Sequence, residues 1–226
     1  MSLKNKCILF DIDGTLLHVK HGFMQSLIAD IVKHLGKNEV ATDGRSFAGR
    51  TDRDIFESLM KMNGLPLERF DDLRALYIEM LEKKLNGQDV ETIDGALGAV
   101  SYFSESEATI GLLTGNFRES AFTKLSRASL DSYFSFGAFG CNHTDRNSLP
   151  LDAYDYVTGQ LGIPIERSDM IIIGDTPKDI ECAKTFGAVS VAVSTGNFSS
   201  NALAKHNPDI LLESLNSPDE WLTAIS

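Results

Sequence analysis

Solid apolar runs of strand length recur along the chain. Between them lie stretches in which apolar positions return every three or four residues. Cys7-Ile8-Leu9-Phe10, Ile110-Gly111-Leu112-Leu113 and Met170-Ile171-Ile172-Ile173 are the clearest runs, and Val189 to Val193 follows the last after a helix-sized gap. Asp209-Ile210-Leu211-Leu212 is a weaker candidate, and Phe134 to Phe139 is strand-like but contains glycine. A strand that is apolar at consecutive positions is buried on both faces, as in a parallel sheet covered by helices. The stretches 117–129, 150–161 and 178–186 read as helices. This β-α-β-α order predicts a three-layer α/β sandwich.

From 17 to 90 the pattern changes, and no convincing strand is present. Phe23, Leu27, Ile31 and Leu35 repeat every four residues. Ile55, Phe56, Leu59 and Met60 form a second stripe, opened by Thr51-Asp52-Arg53-Asp54, which has the form of a capping box with Asp in place of Glu. Leu67, Phe70, Leu73, Tyr77, Met80 and Leu81 form a third. These are helix periods. They predict a small all-helical module inserted after the first strand and set over the sheet, its stripes forming its own core.

Length adds little to this picture: 226 residues suit one domain plus an insertion. Charge excludes more. With 21 Lys+Arg against 32 Asp+Glu the net charge is −11, and no basic block offsets it, so nucleic acid and anionic membrane surfaces are poor partners. No run of 18 apolar residues predicts a membrane span. Cys7, Cys141 and Cys182 are odd in number, far apart and form no CxxC, which predicts small core residues in a reducing cytoplasm. Met1 to Lys6 lead straight into the first strand, without the apolar region and cleavage site of a secretory leader.

Candidate chemistry follows the strands, because ligands of open α/β sheets bind at the carboxyl ends. Asp11-Ile12-Asp13-Gly14-Thr15 leaves the first strand, Thr114-Gly115-Asn116 the second, and Gly174-Asp175-Thr176-Pro177-Lys178-Asp179 the strand that begins at Met170. Carboxylates leaving buried strands are costly unless a cation compensates them. The Thr-Gly-Asn turn before a helix can present backbone N–H groups to an anion. Acidic groups converging at one sheet edge make a hard-oxygen site suited to Mg²⁺. No Cys/His cluster competes for a softer metal.

In this order and spacing, the motifs resemble the haloacid dehalogenase-like superfamily of aspartyl phosphotransferases, nearest its phosphoglycolate phosphatase-like branch. The resemblance covers essentially the whole chain. It implies a Rossmann-like core of residues 1–16 and 91–226, with residues 17–90 as a helical C1-type cap. It implies Asp11 as the nucleophile, forming an aspartyl phosphate, and Asp13 as general acid and then base. Mg²⁺ would be held by Asp11, the Asp13 backbone carbonyl and Asp175, with Asp179 in support. Thr114, Gly115 and Asn116 would bind the phosphoryl oxygens. The superfamily also places a Lys or Arg before the last acidic motif, often as Lys-Pro, and this chain has no Lys-Pro. Arg146, in Asp145-Arg146-Asn147-Ser148-Leu149-Pro150, is the candidate for that cation, and Lys124 is its competitor. In Gly49-Arg50-Thr51-Asp52, Arg50 is a candidate contact for the leaving group, and His18, Lys20 and His21 follow the first motif.

The expected activity is a Mg²⁺-dependent phosphatase for a small phosphorylated metabolite, cytoplasmic, and monomeric or a small homo-oligomer. A sugar phosphomutase shares the catalytic set and is the alternative, followed by a catalytically silent binding protein. A dehalogenase fits less well, since that branch typically lacks the second acidic residue found here as Asp13. A signalling receiver domain would be about half this length and lack the insertion.

Overall fold

The computed structural model describes residues 3–36 and 39–223. In chain order the strands are β1 (Cys7–Phe10), β2 (Leu17–Val19), β3 (Val90–Thr92), β4 (Thr109–Thr114), β5 (Gly137–Phe139), β6 (Met170–Gly174), β7 (Val189–Val193) and β8 (Ile210–Leu212). The principal helices are α1 (Phe23–His34), α2 (Asp52–Met62), α3 (Phe70–Lys84), α4 (Ala96–Ser104), α5 (Arg118–Arg127), α6 (Leu149–Asp155) and α7 (Pro177–Phe186). Six strands form one parallel sheet in the order β5-β4-β1-β6-β7-β8. The chain steps from β1 to β4 on one side and reaches β6 on the other. The carboxyl ends of β1, β4 and β6 therefore lie side by side at a topological switch point.

Alternate residues of β1 feed two cores, as the period of a strand requires. Ile8 and Phe10 pack with Ala99, Val100 and Phe103 of α4 and with Ala121 and Leu125 of α5. Cys7 and Leu9 pack on the other face with Leu149 and Ala153 of α6 and with Cys182 and Ala183 of α7. This is the expected three-layer α/β arrangement. The three cysteines are free, with Cys7 and Cys182 buried, and burial pushes both thiols up to about 12.

The segment 17–90 is not strand-free. Its two ends pair as a short antiparallel ribbon, with Leu17 opposite Thr92 and Val19 opposite Val90. Three-residue strands are too short to display alternation, and their partners lie some seventy positions apart. Between them, α1, α2 and α3 share a core of Leu27, Ile31, Ile55, Phe56, Met60, Phe70, Leu73, Tyr77 and Leu81. Phe117, just before α5, joins that core, with its ring 5.7 Å from Phe56 and 6.1 Å from Tyr77. Only half of the capping box at α2 forms. The Thr51 hydroxyl accepts from the Asp54 amide at 3.1 Å, while the Asp54 carboxylate is taken by Arg50. The Phe134–Phe139 run becomes strand only from Gly137, and α6 ends at Asp155 in a π-helical turn, Tyr156–Gln160. No described helix is long and apolar enough to cross a membrane.

The insertion sits tightly on the sheet edge at Gly115. The Asp52 amide donates to the Gly115 carbonyl at 2.6 Å, and a Cβ on Gly115 would lie 2.0 Å from the Arg50 carbonyl oxygen. Gly115→Ala must displace that backbone. Overpacking of this kind costs about 1–3 kcal/mol, so a lowered melting temperature and a lowered kcat/KM are expected together.

Candidate active site

One cavity of about 720 Å³ opens where β1, β4 and β6 end. Asp11, Asp13, Thr114, Arg146 and Asp175 line its sheet side, and residues of α1, α2, α3 and the loop at Phe47–Arg50 line the other. The register places the groups. Phe10 lies between Leu112 and Ile173, so Asp11 emerges beside Leu113 and Gly174, one residue before Thr114, its amide bonded to the Ile173 carbonyl at 2.9 Å. Gly14 turns the chain away with φ +88°, and a Cβ there would meet Asp175 Oδ2 at 2.4 Å. Only glycine allows both the left-handed backbone and that approach.

Asp11, Asp175 and Asp179 are all buried and bring oxygen atoms within 4.8 Å of one another. Burial pushes the Asp11 carboxyl up to about 6. Arg146 opposes that rise, and Asp179 and Asp13 add to it. Asp175 is raised well above the usual carboxylate range, first by burial and then by Asp179 and Asp11. Asp179 has both oxygens engaged: the Thr176 amide and hydroxyl cap α7 through Oδ2, and Arg146 binds Oδ1. Three buried carboxylates share one guanidinium, so the cluster lacks positive charge. An all-oxygen donor set short of positive charge fits a hard divalent cation. Asp11 and Asp175 would hold it, and Asp179, whose Oδ1 is bound by Arg146, would support it.

Both candidate cations reach the cavity, and they divide the carboxylates between them. Arg146 lies in a short turn whose preceding Asp145 caps the Asn147 amide at 3.0 Å. Its guanidinium is 3.1 Å from Asp11 and also binds Asp179 and the Leu113 carbonyl, while its buried Nε has no partner. Lys124, on α5, sends its ammonium to both oxygens of Asp13, at 2.9 and 2.7 Å, and to Asn116 Oδ1 at 2.7 Å. Asn116 Nδ2 in turn donates to Asp13 Oδ2 and to Thr114 Oγ1. The Lys124 side chain is 4% exposed and that of Asp13 is 42% exposed, so the lysine fixes Asp13 from beneath while the carboxyl faces the cavity.

The other residues singled out from sequence also come to this place. Thr114, Gly115 and Asn116 line the cavity. His18, Lys20 and His21 are exposed at its mouth. Arg50 lines it too, but its guanidinium binds Asp54 and Ser58 of α2 and also Asp43, which braces the loop before α2. To touch a leaving group directly, Arg50 must exchange one of these partners. Sequence reasoning missed Asp52. This buried residue of α2 accepts from the Phe117 amide at 2.8 Å and from the Ser120 hydroxyl at 3.1 Å, so it caps α5 from a different part of the chain. Its only sequence signal was that α5 lacks a capping side chain of its own.

Residues 8–193 match the sequence model of the haloacid dehalogenase-like hydrolases. A provisionally named pyrophosphatase of Caldanaerobacter subterraneus is 25% identical over 221 residues, covering 94% of this chain and 92% of the relative. A phosphoglycolate phosphatase of Pectobacterium atrosepticum is 23% identical over 219 residues, covering 91% and 87%. Among solved structures, a haloacid dehalogenase-like hydrolase of Streptococcus pneumoniae aligns over the whole of both chains with a TM-score of 0.63 at 17% identity. A hydrolase of Pseudomonas syringae aligns over 97% of this chain and 99% of its own, with a TM-score of 0.67 at 16% identity. At these identities the structures speak to the fold.

Proposed function

Because this chain belongs to the haloacid dehalogenase-like hydrolases, we propose that it is a Mg²⁺-dependent phosphatase that hydrolyses a small phosphorylated metabolite through an aspartyl phosphate. The observation that carries this reading is the pairing of two buried cations with two different carboxylates on one cavity: Arg146 with Asp11 and Lys124 with Asp13. The names of the two sequence relatives, a pyrophosphatase and a phosphoglycolate phosphatase, point the same way. Residues 1–16 and 91–226 act as the catalytic core, and residues 17–90 act as a cap that excludes water from it.

Asp11 attacks phosphorus, and the ester oxygen leaves with a proton from Asp13. Water then attacks the aspartyl phosphate, returning a proton to Asp13 and freeing Asp11 and phosphate. Between the two steps Asp13 is a carboxylate, and Lys124 and Asn116 hold it facing the cavity. Arg146 and Thr114, which line the cavity, would donate to the phosphoryl oxygens together with the amides of the following turn. Asp11, the Asp13 backbone carbonyl and Asp175 would hold Mg²⁺, whose positive charge, when bound, lets a carboxylate approach a phosphate dianion.

A screen of phosphorylated metabolites, with and without Mg²⁺, tests the reading. Phosphate release that requires Mg²⁺ and is suppressed by Ca²⁺ is expected, because Ca²⁺ takes more oxygens and can engage both oxygens of Asp11. Full activity in excess chelator contradicts it. Transfer of the phosphoryl group to a second hydroxyl, assayed in parallel, would identify a mutase instead. In the same assay, Arg50→Ala is expected to lower kcat/KM for the best metabolite more than for an aryl phosphate, because the loop it braces faces the leaving group rather than the phosphoryl group. Equal losses on both would assign Arg50 to folding or to general catalysis.

A further inference from the structure

Beyond the phosphoryl site the cavity continues into the helical insertion, where apolar side chains line it beside a few polar ones, Gln25 and Gln88 among them. We propose that this part is a chamber for an uncharged, mainly apolar leaving group, so that the substrate is the phosphate monoester of a medium-sized apolar alcohol. The inference rests on the phosphatase reading and narrows it.

Three observations carry it. The first is volume. About 720 Å³ falls within the range of pockets that enclose ligands of drug size, and the phosphoryl group itself needs little of that space. The second is the wall: Met24, Ile28, Phe47, Ile55, Phe56 and Tyr77 line the cavity, and of these Met24 and Phe47 are half-buried and keep apolar surface open to it. Such surface gains by covering an apolar ligand. The third is charge. Among the described residues that line the cavity, each buried or half-buried cation already has a carboxylate partner: Arg146 has Asp11 and Asp179, Lys124 has Asp13, and Arg50 has Asp43 and Asp54. Lys20, His18 and His21 are exposed at the mouth and share it with Asp89 and Glu91, and His18 stands opposite Glu91 on the ribbon. Exposed charges with acidic neighbours hold a second anion weakly. A second phosphate, or a carboxylate on the leaving group, therefore has no dedicated partner here.

Straight-chain monoalkyl phosphates test the chamber, because ethyl, butyl and hexyl phosphate release alcohols of nearly equal acidity and differ mainly in buried length. With Mg²⁺ present, kcat/KM is expected to rise about fourfold for each added methylene that the chamber covers. Hexyl phosphate should also exceed both pyrophosphate and phosphoglycolate. Ile28→Trp, which fills the space, should flatten the rise. If that variant does not fold, inhibition of the wild-type enzyme by the matching alkyl phosphonates gives the same slope without catalysis. A flat or falling series, or preference for pyrophosphate or phosphoglycolate, overturns the chamber while leaving the phosphatase reading intact. Failure to hydrolyse any ester, an aryl phosphate included, overturns both.

Discussion

Asp11→Asn is expected to abolish turnover while leaving the fold intact. The amide is nearly the same shape as the carboxylate and can keep an oxygen near Arg146, but it cannot attack phosphorus. Loss of a nucleophile costs several orders of magnitude in kcat. Stability should not fall. The Asp11 carboxyl is pushed up to about 6, chiefly by burial, so in the metal-free protein its charge opposes folding near neutral pH. Replacing it with a neutral group relieves that strain, and the melting temperature of the metal-free variant should equal or exceed that of the wild type. A variant that keeps more than about a tenth of wild-type kcat is incompatible with covalent catalysis at Asp11.

Removing either buried cation should also be costly, but with different signatures. Arg146→Ala takes away the counter-charge of the nucleophile and a donor to the phosphoryl group, so kcat and kcat/KM should both fall by about two to three orders of magnitude for every ester. It also leaves Asp11 and Asp179 buried without their guanidinium. A broken buried pair typically costs about 3–5 kcal/mol, so a lower melting temperature is expected as well. Lys124→Met should act through Asp13. An alkyl ester needs a proton on its departing oxygen, whereas an aryl ester with an acidic phenol needs it far less. Hydrolysis of the alkyl ester should therefore drop much more than that of the aryl ester. Equal drops on the two esters, or none, would reduce the Lys124–Asp13 pair to a structural contact.

Much of this site was legible in the sequence because its parts are local. Asp11-Ile12-Asp13-Gly14-Thr15 and Gly174-Asp175 each follow a solid apolar run, and a parallel sheet delivers whatever follows its strands to one edge. The helical stripes of α1, α2 and α3 were equally plain. Helix α4 carries the same signal, with buried positions at Ala96, Ala99, Val100 and Phe103, but small residues make a faint stripe. The β2–β3 ribbon was hidden because each strand has three residues and its pairing spans the insertion. Arg146 and Lys124 presented a different difficulty. Sequence order alone sets them as rivals for one role, and only the fold reveals two carboxylates wanting two cations. Asp52 was hidden for a similar reason: on paper it belongs to the first turn of α2, yet its carboxylate caps α5.

The central claim is the covalent intermediate on Asp11, and acid quenching in the first turnover tests it most directly. Enzyme, Mg²⁺ and the best phosphate ester are mixed and quenched in acid, where an acyl phosphate survives, and the peptide that contains Asp11 is weighed. The account predicts a fraction of that peptide heavier by one phosphoryl group. The added mass should be released by hydroxylamine and absent from Asp11→Asn. Rapid release of phosphate with no added mass on that peptide, under conditions that trap the intermediate on a known aspartyl-phosphate enzyme, would contradict it.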